Sequence, residues 1–115
     1  MTANIDIRSG DAYTGARRLT ITVRDSQGAT VDLTGTTLTF SVNKLGVNVF
    51  EKTTPTDIEL ASPQSGATKG VAYLALPSAL TADLSGIYDW ELEAVDAVGA
   101  ITLADGRFDV LADQT

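Results

Sequence analysis

Three carboxylates, Asp89, Glu91 and Glu93, alternate with the apolar residues Tyr88, Trp90, Leu92 and Ala94. A spacing of two places all three acids on one face of an extended strand and the apolar residues on the other. Carboxylates held close together can split their proton affinities and do acid–base work. The same row is the ordinary wet face of an amphipathic strand, and no pocket-forming motif accompanies it. It would also suit a basic partner surface. No catalytic residue is assigned from it.

Oxygen ligands for calcium are the next chemistry on offer. Asp25, Asp32, Asp96 and Asp105 all fall at predicted strand ends. None belongs to an EF-hand spacing, and an aspartate in a turn is accounted for by hydrogen bonding to its own backbone. No metal-ligating residue is assigned. The chain has neither cysteine nor histidine, which excludes thiolate and imidazole metal sites, disulfides and Ser-His or Cys nucleophiles. It contains neither a phosphate-binding G-x-x-x-x-G-K-[ST] loop nor a G-x-S-x-G elbow, so no cofactor-binding residue is assigned. Arg17, Arg18 and Arg24 are the nearest approach to a basic patch. Without interleaved aromatics, and in a chain of net charge −7, they make no nucleic-acid platform. Arg18 and Arg24 are expected to share a strand face with Thr20 and Thr22 and to pair with the acidic strand.

The elements that must carry these residues are short strands. Leu19-Thr20-Ile21-Thr22-Val23-Arg24 and Leu38-Thr39-Phe40-Ser41-Val42 alternate as the acidic segment does. Weaker strands are predicted over residues 5–8, 47–52, 71–76, 101–103 and 107–110. Asp25-Ser26-Gln27-Gly28 and Asp96-Ala97-Val98-Gly99 share a D-x-x-G pattern that suits a type I turn closed by a left-handed glycine. Asn43-Lys44-Leu45-Gly46 reads likewise, and Asp105-Gly106 marks a hairpin or a bulge. Residues 53–69 form the longest irregular connection, with a short strand at Ile58 and Leu60. Pro77-Ser78-Ala79-Leu80-Thr81-Ala82-Asp83-Leu84 reads as one helical turn, and residues 112–115 as a loose end.

Seven or eight such strands, with no connection long enough for a crossover helix, predict an antiparallel, immunoglobulin-like β-sandwich with one short helical turn. One domain over residues 1–115 is expected from the length. Leu84-Ser85-Gly86-Ile87-Tyr88-Asp89-Trp90 resembles a tyrosine corner, in which a Tyr just inside a strand bonds back to the preceding loop. Trp90 then stands where antibody domains place a core cysteine, and its burial is predicted. The start of the chain has neither a basic n-region nor an apolar h-region, and no apolar run approaches membrane-spanning length. A protein made in the cytoplasm is expected, with no membrane partner.

Several segments, in order, resemble a family of phage virion domains. Ile5-Asp6-Ile7-Arg8-Ser9-Gly10-Asp11-Ala12-Tyr13 resembles their "I-x-R-G-D-T" start. Asp25-Ser26-Gln27-Gly28-Ala29-Thr30-Val31-Asp32-Leu33-Thr34-Gly35 resembles "D-x-x-G-x-x-x-D-L-T-G". Gly70-Val71-Ala72-Tyr73-Leu74-Ala75-Leu76 and Gly86-Ile87-Tyr88-Asp89-Trp90-Glu91-Leu92 are similar to their later strands. Thr102-Leu103-Ala104-Asp105-Gly106-Arg107-Phe108-Asp109-Val110 resembles "T-L-x-x-G-x-F-x-V". This is the pattern of the N-terminal domain of phage baseplate upper proteins and of small tail or virion proteins related to it. The resemblance implies a non-enzymatic virion structural module, a tail, baseplate or fibre-adaptor protein, assembled in the host cytoplasm. Baseplate upper proteins continue past this domain, so a stand-alone module is expected here, with a capsid-decorating role as an alternative. A surface immunoglobulin-like adhesion or carbohydrate-binding module is the other reading, and that one requires exposed aromatics.

Sandwich edges left unpaired by the fold must be covered, charged or used. One edge, or the segments 43–49 and 53–69, is therefore expected to contact other virion proteins or another copy of the chain, as a homo-oligomer closed by virion symmetry.

Overall fold

A computed structural model describes residues 4–95 and 99–111. The predicted turn at Asp96 and the chain end after residue 111 lie outside these described residues.

Alternation of apolar and polar residues dictates the strands. In β3 (Thr37–Lys44) Leu38, Phe40 and Val42 are buried while their neighbours face outward. In β7 (Gly86–Val95) Tyr88, Trp90, Leu92 and Ala94 are buried in the same way. The remaining strands are β1 (Ile5–Arg8), β2 (Leu19–Thr22), β4 (Val47–Thr53), β5 (Ile58–Leu60), β6 (Val71–Leu74) and β8 (Ala100–Leu111). A single helical turn, α1 (Ser78–Thr81), lies between β6 and β7.

These strands pair into a five-stranded sheet, β1-β8-β7-β3-β4, and a three-stranded sheet, β2-β6-β5. The order β8-β7-β3-β4 facing β2-β6-β5 matches the G-F-C-C′ and B-E-D sheets of immunoglobulin-like sandwiches. One pairing departs from the antiparallel expectation. β1 runs parallel to β8, with Ile5 opposite Phe108 and Arg8 opposite Leu111. The whole domain is the crossover between these first and last strands, so the length argument that disfavours parallel neighbours does not apply to them.

An aromatic cluster holds the middle of the five-stranded sheet's inner face. Trp90 is 2% exposed and stacks on Phe40 at 5.4 Å between ring centroids. Phe108 meets Phe40, Phe50 and Tyr88 edge-on. Offset and edge-to-face contacts are what ring quadrupoles favour. Gly106 is the register partner of Trp90, so no side chain competes with the indole there. Ile21, Val23, Ile58, Ala72 and Leu74 complete the core from the other sheet and its flanks. The tyrosine corner is formed: the Ser85 N–H donates to Tyr88 Oη at 2.9 Å.

Two predicted turns are corrected. The runs 101–103 and 107–110 are one continuous strand, β8, and the register shift falls at Leu103 rather than at Asp105-Gly106. Leu92 faces Ala104 and Glu93 faces Thr102, which leaves Leu103 as the extra residue. The β3–β4 connection is a two-residue loop, Leu45-Gly46, in which both residues have positive φ, 53° and 80°. That is the type I′ signature, whose twist matches a hairpin better than the predicted type I turn. At residues 25–28 the expected type I turn does form. Gly28 N–H donates to Asp25 O, and Gly28 is left-handed.

Candidate functional site

The outward face of the five-stranded sheet carries the acidic row. Asp89, Glu91 and Glu93 point away from the core on β7. β3 places Asn43, Ser41 and Thr39 beside them, and β8 places Arg107, Asp105 and Thr102 on the other side. Thr102 Oγ1 donates to Glu91 Oε1 at 3.2 Å. Arg107, although opposite Asp89 in register, turns to Asp109, with Nε 3.0 Å from Oδ1 and 3.1 Å from Oδ2. A depression of about 490 Å³ lies here, lined by Asn4, Asn43, Asp89, Glu91, Asp105 and Arg107 among others. It is shallow and opens broadly to water. Asp89 is exposed and Glu91 is half-buried beside the Thr102 hydroxyl, so the arrangement is an open polar surface.

The predicted partner of this row is placed elsewhere. Arg18 Nη1 lies 2.6 Å from Glu59 Oε2 on β5, with its guanidinium 4.7 Å from the centroid of the Tyr73 ring. Arg24 donates to Gly28 O, and Arg17 to Ala12 O. The expected pairing of Arg18 and Arg24 with the acidic strand is therefore incorrect. Both arginines flank β2, which belongs to the other sheet, and the core separates them from β7's outer face.

The aspartates considered for calcium are dispersed. Asp25 Oδ1 accepts from the N–H groups of Gln27 and Ala29. Asp32 Oδ1 accepts from the Thr34 hydroxyl at 2.6 Å and the Thr34 N–H at 2.9 Å. These bonds, the hydroxyl's foremost, hold the Asp32 carboxyl below the usual carboxylate range. Asp105 sits within β8, opposite Glu91, and Asp96 is outside the described residues. Among the described residues no group of three acidic side chains is placed to hold a metal ion.

The two segments singled out for docking differ from each other. The 53–69 connection is pinned by Gln64, which sequence reasoning missed. Its Oε1 accepts from the N–H groups of Leu33 and Gly70, and its Nε2 donates to Ala61 O and Val71 O. A glutamine among Ser, Pro and Gly reads locally as a loop residue, and only the fold brings those four backbone groups around it.

The 43–49 segment is the hairpin tip and the start of the edge strand β4. Leu45 is 94% exposed, Val47 68% and Val49 42%. At the other end of the same hairpin is a groove of about 360 Å³, lined by Gly35, Thr36, Thr37, Thr54, Pro55, Ile58, Glu59 and Leu60. Period-two patterning finds the strands but carries no signal for this groove.

No protein-family model matches the chain, and no curated protein matches it.

Proposed function

We propose that the protein is a non-enzymatic structural module of a bacteriophage or prophage virion, a tail, baseplate or fibre-adaptor component that acts by docking onto other virion proteins. The observation that carries the reading is the apolar β3–β4 hairpin tip on an open sheet edge. Leu45, Val47 and Val49 are left in water together on one edge, Leu45 the most exposed of the large apolar residues described, which also include Ile87 and Ile101 on the neighbouring strands. The ordered resemblance to phage virion domains supports the same reading. Its Asp32-Leu33-Thr34-Gly35 segment forms a self-bonded turn that sinks Leu33 into the core, and its Asp105-Gly106-Arg107-Phe108-Asp109-Val110 segment forms half of β8, an interior strand of the five-stranded sheet. These are scaffold duties, as expected of residues that define a docking domain.

Carbohydrate binding is the less favoured alternative. Trp90 and Tyr88 are buried, Tyr13 packs partly buried against the core, and Tyr73 lies under Arg18, an arrangement that offers little open ring face to a sugar. Mass spectrometry of purified particles from the source organism tests the proposal, together with affinity capture using the proteins of those particles as bait. Stoichiometric incorporation into particles is expected. Particles that lack the chain, with no capture by any virion protein, would overturn the reading.

A further inference from the structure

We draw no further inference here: the strongest candidate, the apolar groove at the open end of the β3–β4 hairpin, lined by Thr36, Thr37, Pro55, Ile58 and Leu60, carries nothing because nothing in the structure shows what covers it, its one carboxylate, Glu59, being already paired with Arg18.

Discussion

At the middle of the five-stranded sheet Trp90 stacks on Phe40, closed off from water, whereas at its hairpin end Leu45 stands 94% exposed on a left-handed backbone. Both regions share the pair β3 and β4. In the middle each large side chain has a reason inside the molecule: a ring partner, a glycine opposite, a place in the core. At the end, local turn chemistry asks for a different residue and the core is out of reach. A residue that intramolecular physics leaves unexplained is where an external partner is best sought, and this is why the hairpin tip, not the more conspicuous acidic row, carries the functional reading.

The contrast can be broken most sharply at Trp90. Trp90→Ala should cost about 3–5 kcal/mol, since a relaxed cavity cannot replace the lost ring contacts. That is a large share of the ordinary margin of a domain this size, and urea unfolding monitored by circular dichroism would read it. A loss near zero would remove the aromatic centre as the organising feature.

Gln64→Ala should cost about 2–3 kcal/mol, because it strips partners from Leu33 N–H and Gly70 N–H in a part-buried site. Amide hydrogen exchange at those two positions should accelerate selectively. Unchanged protection would mean that solvent satisfies the same groups and that the 53–69 connection is not clamped.

Leu45→Asn should act with the opposite sign, stabilising the monomer by about 0.5–1 kcal/mol as the turn receives a residue that tolerates positive φ. A destabilised variant would show that Leu45 serves the fold, and the comparison between the two regions would collapse.

Asp32→Ala is expected to have the smallest effect, and one that depends on pH. The folded carboxyl titrates below its unfolded value, so its contribution is present above the unfolded pKa and is lost as pH falls through the folded one. The difference in melting temperature between wild type and variant should be small and constant near neutrality, then shrink as the pH drops below the ordinary carboxylate range. A difference that grows on acidification would assign the stabilisation to another group.

Much of the scaffold was legible because period two is a local code. The strands at residues 5–8 and at Ile58 and Leu60 fall where the alternation placed them, and the buried rows of β3 and β7 are the apolar rows of their sequences. The D-x-x-G turn at Asp25 was legible because the side chain and the turn it caps lie within five residues. The bulge at Leu103 was not, since it depends on how β8 registers against β7. The salt bridge of Arg18 was misplaced because alternation says which face a side chain takes but not which sheet the strand joins.

What the residues determined unaided is a two-faced, extended chain free of thiol and imidazole chemistry, with an indole destined for the interior. Side-chain alternation, turn preference and composition act over a few neighbouring residues, and no tertiary context is needed to apply them. What only the folded molecule decided is which strands became edges, that the first and last strands run parallel, and that an apolar knob and an apolar groove occupy opposite ends of one hairpin. Those follow from pairing between segments distant in sequence, where the free energy belongs to surfaces that exist only once the sheets have closed on each other.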